Sequence, residues 1–293
     1  MKNIVVFDIG GTAVKAGVMS SDGMFLNKDE MHTPATKEGL FACLSEYVVG
    51  QQAFAPVAVS ISMPGFINSK AGYVIRGGAL VYLDECEFVS ELETVIGLPV
   101  MIENDARCVA LAEQLNGHAQ GLDNYVCVTI GTGIGVGIII NNEPFIGSHF
   151  RGGEFGMSLV ERTESGRYKM MHNTASTAEL VSMYKRAMNL PREAQVNGKE
   201  IFADESETAL AVLERWYERI AVVVFNAIAA YDPQKVLIGG GVSGNPRLLD
   251  NILRVMPRVA TEKWVDLQVP VEYCMHRNDA GMIGALCHYN REH

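Results

Sequence analysis

Apolar residues along this chain fall into short runs that stop at glycine, and the runs come in two sets with the same order. Residues 3 to 7 (NIVVF) form a continuous apolar run of strand length. A glycine turn follows, and residues 13 to 20 (AVKAGVMS) predict a second strand. Ser21-Asp22-Gly23 then predicts a tight hairpin into residues 24 to 31 (MFLNKDEM). Leu40, Phe41, Leu44 and Val48 recur at helical spacing and predict a helix over 38–50. Residues 56 to 63 (PVAVSISM) predict a strand ended by Pro64-Gly65, and 88–96 a helix stopped by Gly97. The strand LPVMIEN (98–104) leads to a turn at Asn104-Asp105 and a helix from Ala106 to Asn116.

The second set opens with NYVCVTIG (124–131), GIGVGIII (133–140) and EPFIG (143–147), three strands matching the first three in order and character. Helical patterns follow over 174–189 and 207–230. KVLIGGGVSGN (235–245) is a strand with a glycine-rich turn, PVEYCM (270–275) a late strand, and AGMIGALCHYN (280–290) a short helix. Strands alternating with helices predict an α/β fold. The repeated theme predicts two related α/β lobes with a cleft between them, joined at the polar segment NGHAQGLD (116–123). The expected boundaries are 1–117, with return of the final helix 279–293, and 118–278.

At 293 residues the chain has room for two domains of ordinary size, and 48% hydrophobic residues suit packed cores. Its 24 Lys+Arg against 34 Asp+Glu leave a net charge of -10, which argues against a nucleic-acid surface. The six cysteines form no CxxC pair and read as small buried hydrophobes in a reducing compartment. Neither a leader-type apolar segment nor a bilayer-length one is visible, so a cytoplasmic protein is expected. The seven histidines make no ligand cluster that would hold a transition metal.

The chemistry concentrates at the glycine turns. Asp8-Ile9-Gly10-Gly11-Thr12 follows a strand: the glycines admit phosphate oxygens to the backbone, Thr12 offers a hydroxyl, and Asp8 can hold Mg2+ through water. An ordinary hairpin turn is the competing reading. Gly131-Thr132-Gly133-Ile134-Gly135 is a second such loop, matching neither the dinucleotide fingerprint nor a P-loop. At the end of a strand, Asp105 can accept a proton from a sugar hydroxyl while Asn104 fixes the sugar; helix capping by Asp105 is the alternative. Glu154, among the glycines of RGGEFG, can read two vicinal hydroxyls or stand solvated in a loop. Gly239-Gly240-Gly241 would let a purine lie on bare backbone, or form a plain strand-to-helix turn. Two phosphate loops and an acid between them suggest a nucleotide-dependent phosphoryl transferase.

DIGGT, ENDA (103–106), TIGTGIG (129–135), GGEFG and IGGGV, in that order, resemble the ROK family of sugar kinases. The resemblance implies the two-lobed actin-like, hexokinase-type (ribonuclease H-like) ATPase fold with a central cleft, ATP and Mg2+ as cofactors, and a homodimer. It implies Asp105 as the base on the sugar 6-hydroxyl, and Asn104, Glu154 and Gly65 as sugar ligands. Asp8, Gly10, Gly11, Thr12, Lys15, Gly131, Thr132, Gly133, Gly135, Gly240 and Gly241 would bind ATP, with Asp8 touching Mg2+ through water or ATP. Most family members follow E-[IL]-G-H with a cysteine-rich zinc cluster; here Met157 stands at the histidine and the next stretch lacks cysteine, so no zinc is expected. Glu179 would stand where the family has a sugar-binding Glu after that cluster.

Within the family, IRGGAL (75–80), RGGEFGMSL (151–159), RYKMMHN (167–173) and NDAGMIGA (278–285) are most similar to kinases of β-glucosides such as cellobiose. A flexible, apolar Met157 in place of histidine would leave room for a substituent at C1. A kinase of free glucose or N-acetylmannosamine is the rival, and a non-catalytic sugar sensor a remote one. A ROK repressor would need a helix-turn-helix ahead of DIGGT, which is not expected with Asp8 so near the start.

Overall fold

The computed structural model describes residues 2–259 and 268–293. They gather into two compact units, one holding the chain through Gln120 with Ile146–Gly152 and Asn278–His293, the other holding Gly121–Phe145 and Gly153–Arg277.

In the first unit, β1 (Asn3–Ile9), β2 (Ala13–Ser20) and β3 (Phe25–His32) form an antiparallel meander. The chain crosses through α1 (Lys37–Gly50) to β4 (Ala58–Met63), which lies parallel to β1. A small hairpin, β5 (Phe66–Asn68) with β6 (Tyr73–Arg76), and α2 (Phe88–Ile96) lead to β7 (Val100–Asn104), parallel to β4. Helix α3 (Asp105–Asn116) follows without a break. The sheet order is β3-β2-β1-β4-β7. Alternation along β1 serves two cores: Val5, Phe7 and Ile9 pack with Leu40, Leu44 and Val48 of α1, while Ile4 and Val6 pack with Ala112 of α3 and the C-terminal helix (Ala280–Glu292). That helix lies so close to α3 that a Cβ on Gly284 would overlap the Cys108 carbonyl.

The second unit repeats the arrangement. β8 (Tyr125–Ile130), β9 (Ile134–Ile140) and β10 (Glu143–Pro144) form the meander. A hairpin of β11 (Leu159–Arg162) and β12 (Tyr168–Met170) precedes α4 (His172–Ala175), α5 (Thr177–Ala187), α6 (Gly198–Ala203) and the long α7 (Glu207–Tyr231). β13 (Lys235–Gly239), α8 (Leu248–Val259) and β14 (Val271–Tyr273) complete it. The order β10-β9-β8-β13-β14, with β13 parallel to β8 and β14 parallel to β13, copies the first sheet strand for strand. Its core joins Val126, Val128 and Ile130 to Trp216, Ile220 and Val224 of α7.

The expected third strand over 143–147 shrinks to two residues ending at Pro144, with one further bond from Phe145 N to Ile138 O at 2.8 Å. The helix expected over 174–189 begins at His172 and breaks at Ser176, whose hydroxyl accepts from Glu179 N to cap α5. Helices α6 and α8 and the hairpins β5–β6 and β11–β12 were outside the predicted elements. In α8, Leu248, Ile252 and Val255 do fall on one face, directly after the glycine-rich turn.

Candidate active site

In open α/β sheets, ligand-binding groups gather at the carboxyl ends of parallel strands, and the candidate residues Asp8 and Asn104 of the first unit lie at such ends. Asp8 stands near the end of β1. Its Oδ1 accepts from Ser62 Oγ of β4 at 2.8 Å, and its Oδ2 pairs with Lys15 Nζ at 3.4 Å. Lys15 also donates to the Asn278 carbonyl at 2.9 Å. The turn between β1 and β2 is pinned: Gly10 N donates to Ala13 O, and Thr33 Oγ1 donates to Gly10 O at 2.7 Å. Gly11 and Thr12 at its tip are exposed.

At the end of β7, Asn104 rather than Asp105 caps the helix, its Oδ1 accepting from Arg107 N at 3.1 Å. The capping alternative for Asp105 therefore falls away. Asn104 Nδ2 donates both to the Gly65 carbonyl (3.1 Å) and to Asp105 Oδ1 (3.0 Å), and Ala106 N donates to the same Oδ1 (2.7 Å). One oxygen of Asp105 is thus anchored, and Oδ2 takes no hydrogen bond from the described residues. The side chain is exposed at the surface, yet protein crowds around it, and this desolvation pushes its pKa up to about 6. The negative charge of Asp8 pushes the same way, while the bonds from Ala106 and Asn104 pull back. Beneath the turn, buried Glu103 and Arg107 form an ion pair at 2.6 Å, and Arg107 donates on to the Ile67 carbonyl at 3.1 Å. This pair ties β7, α3 and β5 together under Asp105.

In the second unit, the loops after β8 and β13 adjoin. Gly240 has φ +87 and its α-carbon lies against the backbone of Ile130, a position that excludes a side chain. The Gly131–Gly133 loop is closed by a bond from Gly131 N to Gly133 O (2.9 Å) and held to α5 by Thr177 N on Gly131 O (2.9 Å). Thr132 is exposed beside a cavity of about 320 Å3 lined also by His172, Asn173, Ser176, Ala178 and Glu179. Gly135 is paired within the ladder opposite Thr129, and Gly241 opens a short 3-10 turn. Glu154 precedes another such turn, Phe155–Met157, at whose end Met157 is 43% exposed. Glu179 is bound to Arg186 at 2.8 Å and to Arg219 at 3.6 Å. Arg219 is shared with Glu161 at 3.5 Å, and Arg186 stands exposed.

The structure thus brings Asp8, Lys15, the Gly10–Thr12 turn, Gly65, Asn104 and Asp105 into the first unit, and the Gly131–Gly135 and Gly240-Gly241 loops, Glu154 and Glu179 into the second. Ser62, Glu103, Arg107 and His172 escaped the sequence reading. No spacing pattern marks a partner 54 residues away, as Ser62 is from Asp8. No group of three His, Cys, Asp or Glu suited to a metal occurs among the described residues.

The sequence from residue 4 to 292 matches the model of the ROK family. The chain belongs to the ROK family. A β-glucoside kinase of Listeria monocytogenes is 34% identical to it, over 99% of this chain and 98% of the relative. A β-glucoside kinase of Klebsiella pneumoniae is 33% identical, over 98% and 96%. Among solved structures, a ROK family glucokinase from Streptomyces griseus in complex with glucose and AMPPNP superposes with a TM-score of 0.86 at 27% identity, covering 99% of this chain and 100% of that one. The fold is the actin-like, hexokinase-type ATPase fold of the family, and this ROK protein is a sugar kinase, a phosphotransferase.

Proposed function

We propose that this ROK kinase transfers the γ-phosphoryl group of ATP to the 6-hydroxyl of the glucose unit of β-glucosides such as cellobiose, giving ADP and a 6-phospho-β-glucoside. The observation that carries the chemistry is the division of labour within Asp105: Oδ1 is anchored by two donors, and Oδ2 is left to take the hydroxyl proton. As O6 attacks the γ-phosphorus, its proton passes to Oδ2 and the bond to the bridging oxygen of ADP breaks. Asn104 and Gly65 border Asp105 and would orient the sugar, with Glu154 accepting from vicinal hydroxyls.

Gly10, Gly11, Thr12 and Gly131–Gly135 would hold the phosphates through backbone N–H groups, Lys15 would offset their charge, and Gly240-Gly241 would border the nucleoside. Asp8 fits a Mg2+ held through water, because each carboxylate oxygen keeps an acceptor site beyond its contact with Ser62 or Lys15. Bound with ATP, Mg2+ would supply neutralisation of phosphate charge. Residence in the cytoplasm and assembly as a homodimer complete the proposal; no helix among the described residues is long and apolar enough to cross a membrane.

The β-glucoside preference is supported by the names of two relatives and by Met157, exposed three residues after Glu154. Phosphorylation of a free hexose is the second reading, favoured by the glucose-bound relative. ATP consumption with cellobiose, salicin, glucose and N-acetylmannosamine in parallel separates them. Faster turnover of cellobiose and salicin is expected; preference for a free hexose would overturn the substrate assignment and leave the kinase chemistry standing.

A further inference from the structure

His172 is mounted rigidly. It opens α4 directly after Met171, whose N–H donates to Ser158 O at 2.8 Å and whose carbonyl accepts from Thr174 N and Ala175 N at 3.0 Å. Buried Trp216 of α7 donates its indole N–H to Ala175 O (3.0 Å) and Ser176 O (3.1 Å), fixing the same turn from below. From this mount the imidazole reaches two loops at once. Its Nδ1 accepts from Ile134 N at 2.8 Å, at the residue that leaves the Gly131–Gly133 loop. A Cβ on Gly133 would stand 3.0 Å from the same nitrogen. The same Cε1 edge of the ring, toward Nε2, also lies on Gly156, where a Cβ would stand 2.6 Å from Nε2 and 2.5 Å from the Ile134 carbonyl oxygen; Gly156 follows Glu154 by two residues. The ring's burial lowers its pKa below the usual 6.5, which keeps Nδ1 an acceptor at neutral pH.

Resting on the kinase reading above, we propose that His172 is a positioning residue that sets the second phosphate loop and the Glu154 loop against one another through a single imidazole. Small residues at 133 and 156 are the complement of this strut: a side chain at 133 would press on the ring, and one at 156 on both the ring and the Ile134 carbonyl. A shift of either loop moves the ring, so nucleotide and sugar affinities are tied through it.

The test is steady-state kinetics of the full chain with ATP and with whichever of cellobiose or glucose the wild type turns over. His172→Ala removes both contacts, and KM for ATP and KM for the sugar should each rise about three- to tenfold. Asn carries an amide oxygen near the place of Nδ1 but has nothing to rest on Gly156. His172→Asn should therefore restore KM for ATP to within about twofold of wild type while KM for the sugar stays raised. If His172→Ala does not fold, the split in His172→Asn carries the test alone. Unchanged constants in His172→Ala, a lowered melting temperature without a KM effect, or equal changes of both constants in His172→Asn would overturn the proposal. A wild type that phosphorylates no sugar sinks the kinase reading and this inference with it.

Discussion

A carboxylate with a pKa of about 6 is mostly ionised at pH 7 and still basic enough to take a proton from a hydroxyl. Replacing Asp105 by Asn should lower kcat by about 10²–10⁴-fold with little change in the sugar's KM. If Asp105 is the base, as proposed, kcat/KM of the wild type should fall with pH below about 6, as its carboxylate becomes protonated. The same perturbation has a sign for stability. A raised folded-state pKa means that the ionised form is the disfavoured one, so Asp105's contribution to stability falls as pH rises from 3.8 to about 6. At pH 7 the Asp105→Asn variant should therefore melt higher than the wild type while being far less active. A lower melting temperature in calorimetry would contradict this account of its surroundings.

At the scale of elements, the C-terminal helix sets how the first unit's site is backed. Gly281 lies directly behind the Asp8 carboxylate, and Gly284 meets the Cys108 carbonyl of α3. Such approach requires the absence of a side chain on the helix, not a special backbone angle. Gly284→Ala should lose about 1–3 kcal/mol of stability, since the backbones must part to admit a methyl group. Urea unfolding measures it; a midpoint equal to that of the wild type would show that the helix adjusts freely. The helix itself was legible in the string AGMIGALCHYN, but nothing in those letters says which helix its glycines would touch.

Over the whole molecule, two sheets with one topology each bury their central parallel strands on both faces. Val5, Val6 and Phe7 in β1, and Val126, Cys127 and Val128 in β8, are fully buried, whereas β3 at the first sheet's edge is largely exposed. Native-state hydrogen exchange should therefore find the amides of β1, β4, β8 and β13 among the last to exchange, and those of β3 among the early ones. Slower exchange in β3 than in β1 would contradict this ordering of stability.

Local pattern was sufficient for the strands that start each unit, the long helices and the glycine turns, because apolar periodicity and glycine act over a few residues. The acid at 105, the glycine turns at 10–12 and 131–135 and Glu154 stand out as candidates for the same reason: each lies in a short string whose chemistry depends on neighbours in sequence. The shape of Asp105's environment was not. That Asn104 takes the cap, that Oδ1 is anchored while Oδ2 is left, and that crowding raises the pKa all depend on packing. The support of Asp8 by Ser62, the reach of Arg107 to the Ile67 carbonyl and the seating of His172 against Gly133 and Gly156 were likewise decided only by tertiary structure. The physical reason is range: a hydrogen bond or a close approach between residues far apart in the chain leaves no periodic trace in the sequence, because its partners are chosen by how sheets and helices close upon each other.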